Sequence, residues 1–147
     1  MVQRDIRIDK VKKNFYITLL VLIVVLTITY IYTRPHKVVK VIEGNILVLD
    51  NGKRICLIGV DKSTQAQNFI RRMVEGKQVK LRYDRQEVDE DGQLLAYVYL
   101  LDDTFLNEEI IKQGHARTSK KVPFKYSELF RRYEKEAKVK KKGIWSD

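Results

Sequence analysis

The apolar positions of the chain follow two different patterns. In residues 14–33 no charged residue occurs, and most positions are Leu, Ile, Val or aromatic. From Val41 onward the apolar residues come in short alternating runs, separated by turn signals such as Gly-Asn and Asn-Gly. The first pattern is typical of a segment that is apolar on every face, and the second of β-strands with one buried face.

The apolar segment is long enough to cross a bilayer. About 20 residues at 1.5 Å rise per residue cover a hydrocarbon core of roughly 30 Å. A cleaved signal peptide needs a shorter apolar core and small residues at the cut, whereas residues 14–33 contain no Ala, Gly or Ser. A buried core helix is rarely apolar all round. We therefore predict a short basic tail at 1–13, a transmembrane helix at 14–33 and one globular domain at 34–147.

The flanks of this segment predict its orientation. Five basic residues precede it and three follow it, namely Arg4, Arg7, Lys10, Lys12 and Lys13, then Arg34, Lys37 and Lys40. The positive-inside bias favours a cytoplasmic N-terminus. The protein would then cross the membrane once and place its domain on the opposite side. In a bacterium that side is the periplasm or another extracytoplasmic space, and in an organelle it is the equivalent compartment.

Residues 41–64 predict three strands joined by two tight turns. The first turn is expected at Gly44-Asn45. The second is expected at Asn51-Gly52, where an Asn-Gly hairpin requires positive φ at both residues. The third strand is expected over residues 53–60.

The remainder of the domain predicts helices and two more strands. Ser63 is a suitable N-cap for an amphipathic helix with an apolar stripe from Ala66 to Val74. Strands are expected at 78–84 and 94–100, a short helix at 107–113, and a last helix beginning near Lys125.

Charge is distributed unevenly along the 147 residues, whose net charge is +10. Residues 34–116 carry 13 basic and 13 acidic side chains, whereas residues 117–147 carry 11 basic and four acidic ones. A nucleic-acid-binding surface would therefore have to use the C-terminal segment. The candidate surface is the outer face of the last helix, with Arg131, Arg132, Lys135 and Lys138. Anionic lipid, an acidic protein partner and nucleic acid are all compatible with it.

Four blocks of sequence in order resemble the staphylococcal nuclease, or thermonuclease-like, family: VLDNGKRICLIGVD, YDRQEVDEDGQLLAYVYL, TFLNEEIIKQGHAR and YSELFRRYEKEAKVKKKGIWS. The resemblance implies an α+β fold, a five-stranded OB-type β-barrel with three helices, here preceded by one transmembrane helix. Active members of the family hydrolyse phosphodiester bonds in DNA and RNA with one Ca²⁺.

The resemblance also shows where this chain departs from the family pattern. Asn45 stands at the position of a metal-binding aspartate, and Cys56 and Gln93 stand at the positions of two phosphate-binding arginines. Lys62 replaces a threonine and Thr64 replaces the glutamate that acts as base. Asp61 is the only retained metal ligand.

These departures lead to the prediction that the domain is not an enzyme but a pseudoenzyme of the family. We expect no metal, no cofactor and no small-molecule substrate. The preferred function is an interaction subunit with protein partners in a membrane assembly. Two alternatives are a non-catalytic nucleic-acid-binding module and a Ca²⁺-dependent nuclease.

Overall fold

The structure is a computed structural model that describes residues 2–146, with side chains for residues 10–31 and 33–146. The chain forms two compact units, Met1–Arg34 and Pro35–Asp147. The basic side chains of Arg4 and Arg7 lie outside the described residues.

The first unit is one helix, α1 (Val2–Thr33), so the tail expected before the apolar segment is helical too. Within it, Lys10–Ile31 has 22 residues and a mean hydropathy of 2.2, and by length and composition it can span a membrane. Its Thr side chains donate hydrogen bonds to carbonyls one turn back, as Thr27 does to Ile23 at 2.8 Å. This satisfies hydroxyl groups that a bilayer could not.

The second unit is a closed five-stranded barrel with the strand order β1-β2-β3-β5-β4. β3 and β5 pair in parallel, and the other neighbouring strands are antiparallel. This confirms the predicted OB-type barrel with three helices. The strands are β1 (His36–Ile42), β2 (Ile46–Leu49), β3 (Arg54–Leu57), β4 (Gln78–Arg82) and β5 (Leu94–Leu100), and the helices are α2 (Thr64–Val74), α3 (Leu106–Lys112) and α4 (Ser127–Val139).

The two β-turns differ from the sequence prediction. Positive φ occurs at Glu43 (52°) and Gly44 (83°), one residue before the predicted pair. In the second turn only Gly52 has positive φ, because the loop has three residues: Leu49 and Lys53 face each other across it, with the Leu49 amide 2.9 Å from the Lys53 carbonyl. A three-residue loop requires one left-handed position rather than two.

The third strand is shorter than predicted because the chain turns at Gly59. Its φ of 75° ends the extended conformation soon after Leu57. A Cβ at this position would also lie 2.7 Å from the Phe124 ring. The bend therefore directs the residues that follow β3, including Asp61, out of the barrel wall.

The helices close the barrel. Ser63 caps α2 as predicted, since its hydroxyl accepts a hydrogen bond from the Ala66 amide. Ile70 of α2, Ile110 of α3 and Phe130 of α4 are fully buried in one core with the inward-facing strand residues.

A buried amide joins α3 to two strands. Asn107 is 0% exposed, and its Nδ2 donates to the carbonyls of Ile58 (2.9 Å) and Ala96 (3.3 Å). Its Oδ1 accepts a hydrogen bond from the Val98 amide at 2.9 Å. A single side chain thus satisfies backbone groups of β5 and of the segment after β3, where buried groups left unpaired are costly.

Replacing this amide should destabilise the domain. Asn107→Leu leaves the Val98 amide and the Ile58 carbonyl without this partner, whereas the Ala96 carbonyl keeps the Ile58 amide at 3.1 Å, so we expect unfolding to cost about 3 kcal/mol less. The measurement is urea unfolding of the full chain in mild detergent, monitored by the fluorescence of the single tryptophan, Trp145. The same change at exposed Asn68 of α2 is the control and should stay within about 0.5 kcal/mol of the parent. An unchanged midpoint for Asn107→Leu would show that the amide network contributes nothing.

Candidate active site

A short backbone pairing brings two distant segments together. Val60 forms a β-bridge with Thr118. Next to it, the Asp61 amide donates to the Arg117 carbonyl at 3.1 Å, and the Ser119 amide donates to the Gly59 carbonyl at 3.0 Å. The residues after β3 therefore lie directly beside the basic segment that follows α3.

A cavity of about 330 Å³ opens beside Asp61. Of the six positions singled out from the sequence, the structure brings five together in its lining and leaves out Thr64, which is exposed at the first residue of α2. The five are Asn45, Cys56, Asp61, Lys62 and Gln93. The family positions thus form one site in this chain.

Asn45 has an unsatisfied oxygen at this site. The residue is 5% exposed, and its Nδ2 donates to the Val60 carbonyl at 2.7 Å and lies 3.7 Å from the Cys56 sulfur. Its Oδ1 has no hydrogen-bond partner among the described residues. A buried acceptor without a partner is unfavourable, so a donor or a cation placed beside this oxygen would stabilise it.

Lys62, another residue that lines the cavity, is paired with Glu43. The Lys62 ammonium lies 2.7 Å from a Glu43 carboxylate oxygen. This hydrogen bond, with the attraction between the charges, lowers the pKa of Glu43 and raises the pKa of Lys62. Both side chains are about half exposed, so the pair serves mainly to neutralise Lys62 at the rim.

Cys56 lies on β3 in the cavity lining, with its sulfur beside the Asn45 side chain. It pairs with Ile46 on one side and Leu95 on the other, and Asn45 and Gln93 are near these partners in sequence. Burial, with a smaller effect from the Asp89 carboxylate, raises the pKa of the Cys56 thiol to about 11. The thiol is thus neutral near pH 7 and does not replace the charge of an arginine.

The acidic loop after β4 also lines this cavity. Asp89, Glu90 and Asp91 are among its lining residues. The loop is fixed by the Asp89 carboxylate, which accepts hydrogen bonds from the amides of Asp91 (3.0 Å) and Gln93 (2.8 Å). Gln93 Oε1 is buried and has no partner within the described part of the chain.

The donor atoms allow a test of the calcium ion that the family implies. Among the described side chains, those of residues 10–31 and 33–146, there is no group of three or more His, Cys, Asp or Glu placed to hold a metal ion. However, calcium also takes amide oxygens, and Asn45, whose buried Oδ1 is unsatisfied, lines the same cavity as Asp61. This set fits a hard cation, with one anionic ligand from the retained family positions. Few charged ligands favour weak binding, with Kd on the order of 10⁻⁴–10⁻³ M.

Beside the cavity lies a surface that we call the basic groove. It consists of two adjoining clefts that share Lys120 and Lys138, and the first of them also includes Asp61. Its cationic side chains are Arg117, Lys120, Lys121, Arg131, Lys135 and Lys138.

The basic groove differs from the surface that the sequence suggested. Arg131, Lys135 and Lys138 share one face of α4, but Arg132 is directed elsewhere, with its guanidinium 5.8 Å from the Tyr133 ring centre. The cations contributed by the segment after α3 could not be assigned to the groove from helical periodicity. They are placed there by the backbone pairing at Asp61.

Comparison with known proteins identifies the family. The family model described as "Staphylococcal nuclease homologue" matches residues 59–147. The chain is 36% identical to a thermonuclease of Staphylococcus hyicus over 131 residues, covering 78% of this chain and 77% of that protein. It is 34% identical to a thermonuclease of Staphylococcus intermedius over 127 residues, covering 75% of each chain. An uncharacterized endonuclease of Escherichia coli O157:H7 is 27% identical over 121 residues, covering 76% of each. The chain belongs to the staphylococcal nuclease family.

These relatives correct one prediction. We predicted from the substituted positions that the domain is not an enzyme. That prediction is contradicted, because the similar proteins are named thermonucleases and an endonuclease and the family is one of nucleases. The substitutions change the residues at the site, and they are not a sign that activity is lost.

The raised pKa of Cys56 can be tested directly. Two pKa units above the usual value of 9.0 mean an about 100-fold smaller thiolate fraction at pH 8. Alkylation of this single cysteine by iodoacetamide should therefore be slow in the folded chain, and its rate should rise with an apparent pKa near 11. The urea-unfolded chain is the control and should show an ordinary thiol profile. Matching pH profiles for the two states would contradict the assignment of Cys56 to a desolvating site.

Proposed function

We propose that the domain is a nuclease that hydrolyses phosphodiester bonds at the cavity beside Asp61. One observation carries this proposal: Asp61 lies at the junction between an oxygen-rich cavity and the basic groove. A carboxylate that can hold a cation is thus next to a surface that attracts phosphate. The names of the relatives support the same reaction class.

The residues of the cavity can take distinct roles in this reaction. Calcium, when bound, would be held by Asp61 and the Asn45 amide oxygen and would neutralise charge on the phosphate. Lys121 lines both the cavity and the groove, so its ammonium can attract the phosphate into place. Because Thr64 cannot act as a base, the cavity carboxylates of Asp89 and Asp91 are the proposed acceptors of the proton from water.

The substitutions set the expected speed of the reaction. Removing one well-placed donor to a developing charge typically lowers the rate by about 10²–10³. Cys56 and Gln93 offer no guanidinium group, so we expect turnover well below that of a site with two arginines. Such losses are not additive, so the combined loss is smaller than the product of the single ones, and we still expect detectable cleavage.

A cleavage assay tests the proposal. The full chain in mild detergent, with single-stranded DNA and millimolar Ca²⁺, should release short products, and a chelator should stop it. Asp61→Ala removes the anionic ligand at the site and should lower the rate by about 10²-fold or more.

The matched control is Asp50→Ala, which removes an exposed carboxylate from the turn after β2. Its rate should equal that of the parent chain. The proposal fails if the parent shows no calcium-dependent cleavage, or if Asp61→Ala and Asp50→Ala cleave at the same rate, which would indicate a contaminating nuclease.

We also propose where the protein works. α1 is proposed to anchor it in a membrane as a single span, and the basic residues before the apolar segment favour a cytoplasmic N-terminus with the domain on the other side. A second candidate function is that of an interaction subunit of a membrane assembly. It is motivated by the neutral side chains of Cys56 and Gln93, which stand where the family pattern has phosphate-binding arginines, and it does not require loss of cleavage.

One fractionation tests both membrane proposals. Protease added to spheroplasts should remove the domain while leaving cytoplasmic markers intact, and extraction of untreated membranes in mild detergent should give a species larger than the single chain. The size should survive high salt and added nuclease. A domain that resists protease until the cells are lysed contradicts the orientation, and a species of single-chain size contradicts the assembly.

A further inference from the structure

We infer that the basic groove is a binding track for the phosphate backbone of a single nucleic-acid strand, which it guides from the cavity along α4. The inference rests on the proposed function and adds the surface that holds the substrate outside the cavity. It states that the cations of the groove bind the strand, and not all the basic residues of the C-terminal segment.

Most cations of the groove are not neutralised by a carboxylate of the protein. Two of its cations have carboxylate partners, since Arg131 lies 2.5 Å from Glu128 and Lys138 lies 2.9 Å from Glu134. The other four form no ion pair with any other described residue; they are Arg117, Lys120, Lys121 and Lys135. A strand that binds here releases counterions from its phosphates, which is a favourable and salt-dependent contribution.

The groove is held in shape by packing that involves Trp145. The Lys138 ammonium lies 4.4 Å and the Arg117 guanidinium 5.2 Å from the centre of the indole ring. These cation–π contacts fix cations from two different segments on one aromatic side chain. At the other end of the groove, Phe124 packs against the core residue Phe130 with ring centres 5.3 Å apart.

The position of the groove favours a strand over an anionic membrane surface. The groove is concave and ends at Asp61, and the adjoining cavity adds the carboxylates of Asp89 and Asp91. An anionic lipid surface that covered the groove would also approach these carboxylates and be repelled. A strand can follow the cations and present only one phosphodiester group to the cavity.

A binding experiment without turnover isolates the groove. The full chain in neutral detergent, with chelator present, is titrated into a labelled single-stranded oligonucleotide of about 15 nucleotides, and anisotropy is measured at several salt concentrations. The double variant Lys120→Glu/Lys135→Glu removes two unpaired cations outside the cavity lining. It should bind at least about ten-fold more weakly, and the log–log salt slope should shrink by about 1.4, or 0.7 for each lost contact.

The matched control is Arg132→Glu, which reverses an exposed charge on α4 outside the groove. Its affinity should stay within about two-fold of the parent, because only screened long-range attraction is lost. Equal weakening by Arg132→Glu and by either groove substitution alone would overturn the inference, since attraction would then come from the whole basic segment. So would parent-like binding by the double variant.

Two further outcomes distinguish this inference from a lipid-binding role and from the proposed nuclease reaction. If the oligonucleotide does not bind but micelles of short-chain phosphatidylglycerol do, and the double variant loses that binding, the groove is a lipid site and the inference is wrong. If the parent binds in the groove but never cleaves with Ca²⁺, the inference stands and the proposed reaction falls. Cleavage at the parent rate by the double variant at low salt and low substrate concentration would also overturn the inference.

Discussion

The Asn107 amide is the interaction on which the geometry of the barrel and of the candidate site both depend. It ties α3 to the backbone of β5 and to Ile58, where the chain leaves β3. Directly after Ile58 the chain turns at Gly59 and reaches Asp61. Without a partner inside the core, these backbone groups would need water, and the core beside Ile110 and Phe130 excludes it. The position of Asp61 is therefore fixed from the interior of the domain rather than by the cavity itself.

A second constraint follows from the first. Because the exit from β3 is fixed, residues 59–61 can pair with residues 117–119, which are far away in sequence. This pairing sets basic side chains beside a cavity lined by carboxylates and amides. Glu134 then receives hydrogen bonds in this region: burial alone would raise its pKa, but the hydrogen bonds from Lys138 and Thr118 lower it overall. The carboxylate thus stays charged, and its hydrogen bond from the Thr118 amide joins α4 to the segment after α3.

Sequence reasoning reached the fold but only part of the site. The order of alternating runs and the family blocks predicted the barrel, since strand periodicity and turn residues are local properties. The Asn51-Gly52 turn was wrong in detail because the loop length depends on the register of β2 and β3, which the dipeptide does not determine. Family positions identified Asn45 and Gln93. Their unsatisfied oxygens could not be foreseen, since whether an amide oxygen has a partner depends on contacts made after folding.

The error about enzymatic activity has the same origin. Counting lost arginines and carboxylates treats each position as an independent charge, whereas a site acts through the combined field of everything that lines it. Here the acidic loop adds carboxylates to the cavity, and the segment after α3 adds cations beside it. The two signs of charge are separated along one continuous surface. A cation is favoured at one end and phosphates at the other, so binding of either should strengthen binding of its partner through their mutual attraction. This separation of charge supports the proposed reaction even though Cys56 and Gln93 stand where the family pattern has arginines.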